Sequence, residues 1–241
     1  LGGVSVLAEA ARILPYESFI YLGDNAHSPY GTKDSAEVKR FSLQAVDFLL
    51  TKGIKALVVA CNTATSVAIN DIRQALDMPV IGMEPALKPA VEKMDRGEIV
   101  VMATPVTLRE KKFHTLLHQY GENRDIIPLP CPGLVELIEQ GRYFGPPVKD
   151  YLTNIFEPLV KEDISTVVLG CTHYLFIKKE LEKFIPHARI IDGNLGTVKN
   201  LQRILGEKGL LADQDRKDRA ITYFSTAEPE RFLPLCQELF N

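Results

Sequence analysis

Short apolar runs rich in β-branched residues alternate along this chain with segments of helical periodicity. The runs fall at 19–22 (FIYL), 55–60 (KALVVA), 79–82 (PVIG), 98–103 (EIVVMA), 125–129 (DIIPL), 165–170 (STVVLG) and 188–192 (ARIID). Helical patterns lie near 4–13, 34–52, 64–76, 106–119, 132–140, 147–162, 174–184, 196–207 and 229–239. Apolar strands separated by helix-length segments predict mainly parallel sheets covered on both faces, an α/β fold. Asp34-Ser35 supplies a helix-start signal, and Pro147 suits a first helical turn.

The pattern also repeats. "LVVACNTATS" (57–66) and "VVLGCTHYLF" (167–176) each run from an apolar strand through a cysteine into small polar residues. Cys61 and Cys171 are 110 positions apart. So are Ile54 and Ile164, and so are Val80-Ile81 and Ile190-Ile191. Two strands and the helix between them keep their length in both copies, which predicts a duplicated α/β unit with two sheets facing each other. The second copy opens on the strand at 98–103, and the repeat predicts a matching strand ahead of Leu1.

In parallel α/β sheets ligands bind at the carboxyl ends of the strands. Cys61 and Cys171 both sit at such ends, each before a predicted helix start. That position is expected to lower a thiol pKa and to offer an anion site. Asn62, Thr63, Thr172 and His173 follow directly and add hydrogen-bonding groups. A single buried cysteine is ordinarily structural. A pair at equivalent places fits a reaction between mirror images, in which one thiolate removes an α-proton and the opposite thiol donates another.

Composition narrows the alternatives. The 241 residues carry a net charge of −3, with 46% hydrophobic and 24% charged residues. There is no basic run to argue for nucleic acid and no apolar segment long enough to span a bilayer. The four cysteines (61, 131, 171 and 236) form no C-x-x-C pair and no zinc spacing, so reduced thiols in a cytoplasmic protein are expected. Cys131 and Cys236 have no repeated partner and read as structural. His114 and His118 share a helix face without a third ligand, which describes a solvated face better than a metal site. His27 reads as an ordinary loop residue. No G-x-G-x-x-G or Walker pattern follows a strand, so no nucleotide is expected, nor any other cofactor or metal.

Four stretches, "ACNTATS" (60–66), "GCTHYL" (170–175), "GDNAHSPYGTK" (23–33) and "CPGLVELIEQG" (131–141), resemble the signatures of the cofactor-independent Asp/Glu racemase family, and within it the glutamate racemases. The similarity runs nearly end to end. "LGG" at 1–3 looks like the tail of the family's D-S-G-x-G-G turn. The resemblance implies two similar α/β domains related by a pseudo-twofold axis, with the active site in the cleft between them. Residues 1–84 with 195–241 would form the first domain and 85–194 the second. It implies Cys61 and Cys171 as the two bases, acting on D- and L-glutamate respectively. His173 and Glu139 would assist Cys171, and the Asp of the first turn would assist Cys61. Tyr30, Gly31, Asn62, Thr63, Thr104, Thr107, Thr172 and His173 would line the substrate site. One departure stands out: the family's G-T-I-x-S reads Val106-Thr107-Leu108-Arg109-Glu110 here, with Glu110 in place of Ser. The implied role is to supply D-glutamate for peptidoglycan, in a homodimer. An aspartate racemase, a non-catalytic amino-acid-binding protein on the same fold and a thiol redox protein are the alternatives.

Overall fold

The structure, a computed structural model, describes residues 1–93, 97–121, 124–215 and 218–227. In chain order the elements are α1 (Gly2–Ile13), β1 (Phe19–Gly23), α2 (Ser35–Leu50), β2 (Leu57–Val59), α3 (Asn62–Ala75), β3 (Val80–Gly82), α4 (Leu87–Lys93) and β4 (Glu98–Ala103). There follow α5 (Pro105–Arg109), α6 (Lys111–Tyr120), β5 (Ile126–Pro130), α7 (Leu134–Glu139), α8 (Pro146–Phe156), β6 (Ile164–Leu169), α9 (Lys178–Phe184), β7 (Arg189–Asp192), α10 (Asn194–Glu207) and β8 (Ile221–Ser225). Short 3₁₀ helices span Lys161–Asp163 and Thr172–Ile177.

All pairings between these strands are parallel. β5, β4, β6 and β7 make one four-stranded sheet, while β1–β8 and β2–β3 form two pairs. β4 and β6 are buried along nearly their whole length. This is why they read as unbroken apolar runs rather than as alternating ones. The core of this half packs Val100, Leu134, Leu152, Phe156, Val167 and Tyr174, all fully buried. The other half gathers α1, β3 and α10 around Val6, Ala10, Ile81, Met83, Val198 and Leu201. The late part of the chain therefore returns to its beginning, through α10 on α1 and β8 on β1.

The repeat is reproduced in register. Leu57 pairs with Val80 and Val58 with Ile81; Val167 pairs with Ile190 and Val168 with Ile191. Each partner moves by the same 110 positions as the cysteines. In the four-stranded sheet β4 lies between β5 and β6. In the other half β1 and β2 are not hydrogen-bonded to each other, and the cavity described below runs between them.

Several boundaries differ from the sequence reading. The helix predicted over 106–119 is two helices, because Glu110 adopts an extended conformation (φ −73°, ψ 140°) between α5 and α6. The helix predicted over 174–184 begins as a 3₁₀ helix at Thr172. The pattern at 147–162 ends as α-helix at Phe156. α4 and β8 were not predicted. α4 carries Pro89 in its first turn beside Pro85, which reads as loop, and β8 is a short strand paired on one side only. The predicted helix at 229–239 and Cys236 lie outside the described residues.

Candidate active site

The two cysteines occupy equivalent backbone positions. Cys61 follows β2 and caps α3 with φ −152° and ψ 121°. Cys171 follows β6 and Gly170, and caps the 3₁₀ helix with φ −148° and ψ 136°. Extended backbone at both points lets each thiol project from a strand end. Both line one cavity of about 630 Å³ that is also walled by α1, β1 and β2. Tyr30, Gly31, Thr63, Thr104, Thr172 and His173 share that lining.

Three hydroxyls stand together at one side. Thr63 Oγ1 lies 2.9 Å from Thr104 Oγ1 and 3.1 Å from Thr107 Oγ1, and Thr104 and Thr107 are 2.9 Å apart. All three residues are buried. Thr104 also caps α5 by accepting from the Thr107 N–H at 3.3 Å. The triangle joins the start of α3 to α5, across the two halves of the repeat. Thr107 stands behind Thr63 and Thr104 and does not line the main cavity. Neither does Asn62, whose side chain is buried beside Thr65, Met83 and Glu84. Its two amide atoms have no hydrogen-bond partner among the described residues.

Gly31 explains how the halves come so close. A Cβ there would stand 2.5 Å from Thr104 Cγ2, well inside van der Waals contact, and the Gly31 carbonyl accepts from the Val106 N–H at 3.3 Å. Gly2 is equally confined, since a Cβ would fall 2.3 Å from Thr172 Oγ1. Glu110 accepts a hydrogen bond from Ser35 Oγ at 2.6 Å, joining the start of α2 to the junction between α5 and α6.

A relay approaches Cys171. Its Sγ is 3.9 Å from His173 Nδ1, and His173 Nε2 is 3.1 Å from Glu139 Oε1, at the end of α7. Nε2 also faces the Gly2 N–H at 3.4 Å. One neutral tautomer cannot serve both partners, because the carboxylate needs a proton on Nε2 and the Gly2 N–H needs a lone pair. The shorter, charge-assisted contact decides. Nε2 carries the proton, and the Nδ1 lone pair is turned toward the thiol.

Burial sets the resting protonation of the site. It raises the Cys61 thiol, against which the Ala64 and Thr63 N–H groups and the Thr63 hydroxyl act. It raises Cys171 strongly, and negative charge on Cys61 raises it further. The expected lowering by a helix start is thus present but outweighed by desolvation. Burial likewise lowers His173 in spite of Glu139. Glu139 would be raised by burial, but hydrogen bonds from His173 and Ser28 bring it below the ordinary carboxylate range.

The loop carrying Tyr30 is anchored by Asp24. Its carboxylate accepts from the Tyr30 hydroxyl, from Thr226 Oγ1 at 2.7 Å and from His27 Nδ1 at 2.7 Å. His27 stacks on Phe41 with ring centroids 3.8 Å apart, a structural loop role. Sequence reasoning passed over Asp24 and Ser28. Both stood within the quoted stretch GDNAHSPYGTK (23–33), but neither was singled out there. Among the described residues there is no cluster of three potential metal ligands, and no helix is long and apolar enough to cross a membrane.

Comparison with known proteins agrees over the full length. The family model for Asp/Glu/Hydantoin racemase matches residues 4–201. The glutamate racemase of Clostridium botulinum (strain Okra) is 52% identical over 242 residues, covering 100% of this chain and 94% of the relative. That of Clostridium perfringens (strain ATCC 13124) is 45% identical, covering 100% and 93%. Among solved structures, Bacillus anthracis glutamate racemase RacE1 superposes with a TM-score of 0.87 at 33% identity, over 98% of this chain and 89% of that one. The Escherichia coli enzyme, solved with L-glutamate and the activator UDP-MurNAc-ala, does so with a TM-score of 0.87 at 31% identity, over 99% and 91%. A chain matched from end to end by such relatives, with its two thiols at equivalent strand ends of a repeated unit, belongs to the Asp/Glu/Hydantoin racemase family.

Proposed function

We propose that this protein interconverts L- and D-glutamate, with Cys61 and Cys171 as the two acid–base groups. The observation that carries the reading is the placement of two thiols, equivalent by repeat, register and backbone conformation, in the lining of a single cavity. The identity of the relatives supports glutamate as the substrate. One thiolate takes the α-proton and becomes a thiol, leaving a carbanion at Cα. The opposite thiol gives its proton to the other face of Cα and becomes a thiolate. Atoms and charge balance, and no oxidant is needed. The protonation pattern left behind is the mirror of the starting one, so proton exchange with solvent resets it.

Both thiols are neutral at rest because of burial, so the thiolate must form on binding. The substrate ammonium brings a positive charge beside the thiols and favours ionisation. His173 Nδ1 is turned to accept the Cys171 proton, and Glu139 stabilises the imidazolium that results. The Thr63 and Thr104 hydroxyls, with Tyr30 and Thr172, offer hydrogen bonds for the carboxylates, and Thr107 holds the first two in place from behind. Asn62 would contribute after a side-chain movement that satisfies its unpaired amide. The division into domains 1–84 with 195–241 and 85–194 is supported by α10 packing on α1 and by β8 pairing with β1.

Circular dichroism of the purified protein with L-glutamate should decay to zero, and solvent deuterium should enter at Cα. Cys61→Ala and Cys171→Ala should each abolish racemisation. Normal turnover by both variants would refute the two-base reading. Faster turnover of aspartate than of glutamate in the same assay would move the assignment to aspartate. Supply of D-glutamate for peptidoglycan in the cytoplasm, and a homodimeric state, go with the same reading. Depletion rescued by D-glutamate tests the first, and light scattering tests the second.

A further inference from the structure

We infer that Ser28 is a positioning residue for the Cys171 side of the site, holding Glu139 in line with His173 from the opposite wall of the cleft. The inference rests on the racemase reading above and deepens it. Ser28 Oγ donates to Glu139 Oε1 at 2.7 Å, and that same oxygen faces His173 Nε2 at 3.1 Å. From His173 Nδ1 the next atom is Cys171 Sγ at 3.9 Å. The chain Ser28–Glu139–His173–Cys171 thus runs from the loop after β1, in the first half of the repeat, to the strand end of the second.

Ser28 is itself held. Its loop is tied by Asp24, which gathers Tyr30, Thr226 and His27, and His27 is stacked on Phe41. Gly31, three residues on, is pressed against Thr104. A loop fixed at both ends presents the Ser28 hydroxyl at a set distance, while Glu139 is the last residue of the short helix α7 and its side chain is about one-third exposed (29%). Without the Ser28 hydroxyl, the carboxylate can rotate into solvent and the imidazole loses its alignment. Hydrogen bonds to a carboxylate also favour its charged form, and charge-assisted bonds are the stronger class. The charged group facing Glu139 is His173, and Glu136 adds to the field at His173. The loop that carries Tyr30 and Gly31 therefore also completes the relay, so displacing it would disturb substrate contacts and the Cys171 relay together.

The test uses the full chain with Ser28→Ala and Ser28→Thr, each first shown to melt like the parent. With Ser28→Ala, kcat should fall about three- to tenfold and KM should change little. The acid limb of the kcat profile should move up by about half to one pH unit, as loss of one hydrogen bond lets the Glu139 pKa rise. Ser28→Thr, which keeps the hydroxyl, should restore both. A rise in KM alone with an unmoved acid limb would make Ser28 a plain substrate contact and overturn the inference. So would an unchanged kcat and profile, or a failure of threonine to rescue. Loss of turnover in Cys171→Ala is measured alongside, so that failure of the two-base reading is told apart from failure of the Ser28 inference.

Discussion

Gly31→Ala tests whether the two walls of the cleft are braced against each other. The added Cβ would stand 2.5 Å from Thr104 Cγ2 and 2.6 Å from Thr104 Cβ. Ordinary carbon contacts need about 3.5–4.0 Å, so the loop and Thr104 must separate by about 1 Å. Thr104 cannot easily yield. It is buried, β-branched and held by hydroxyl contacts to Thr63 and Thr107 at 2.9 Å each. Strain of this kind costs about 1–3 kcal/mol, and the melting temperature of a chain this long falls about 2–4 °C for each kcal/mol. Activity should suffer more than stability, because a shift of about 1 Å in positioning can cost about a hundredfold in rate. Gly209→Ala is the control. Gly209 has φ +65° with nothing within 4 Å of its added Cβ, so it should lose about 1–2 kcal/mol from left-handed backbone alone and keep its kinetics. Calorimetry and a coupled racemase assay on both variants suffice. If Gly31→Ala keeps wild-type kcat/KM, the contact between the walls does not set the site geometry.

Other expectations can be checked with the same preparations. Thr107→Val keeps the shape but removes one corner of the hydroxyl triangle. It should cost about 1 kcal/mol of stability and raise KM several-fold, and an unchanged KM would remove Thr107 from the positioning of Thr63 and Thr104. Phe156→Ala opens a cavity in a fully buried position and should lower urea stability by about 3–5 kcal/mol; a loss below 1 kcal/mol would contradict the packing described. Stability should also fall at alkaline pH. Burial pushes the Cys131 thiol up to about 12 from 9.0, so above pH 9 the unfolded chain releases a proton that the native state keeps. The native state then binds more protons, and stability drops by about 1.4 kcal/mol per pH unit for that thiol until about pH 12. Between pH 8 and 10.5 the urea midpoint should fall less for Cys131→Ala than for the parent, and equal falls would refute the assignment.

How legible the molecule was from its sequence depended on what each element needed. The strands at 98–103 and 165–170 were readable because both faces of β4 and β6 are buried, which leaves no polar alternation to confuse the pattern. The 110-residue offset carried further than any single motif. It predicted the duplicated unit, and the structure carries the same offset into the pairing registers of β2–β3 and β6–β7. The break at Glu110 was not readable, because 106–119 keeps a continuous helical pattern and the carboxylate's partner, Ser35, stands on another helix. The thiol pKa values went the wrong way for a similar reason. A helix start can be inferred from neighbours in sequence, whereas desolvation depends on everything that closes around the sulfur. Ser28 stood inside the quoted stretch GDNAHSPYGTK, but its role was not readable there, because its partner lies 111 positions away.

The repeat places the thiols equivalently, yet it does not make them chemically alike. Cys171 has His173 and Glu139 at its side, with Ser28 behind them, whereas Cys61 caps α3 and takes the Ala64 N–H at 3.4 Å. A reaction between mirror images constrains how such an asymmetry can be expressed. L- and D-glutamate have equal free energies in water, so the equilibrium constant is one and kcat/KM must be the same in both directions. Damage to the relay therefore lowers both values together, however one-sided its location. The asymmetry is confined to the individual kcat and KM values, to the pH dependence of each direction, and to α-deuterium isotope effects measured separately from the two enantiomers. A Glu139→Gln variant that lowers kcat/KM unequally for the two enantiomers would signal an assay artefact. One that lowers both equally, but changes the isotope effect in only one direction, would identify the proton transfer that Cys171 governs.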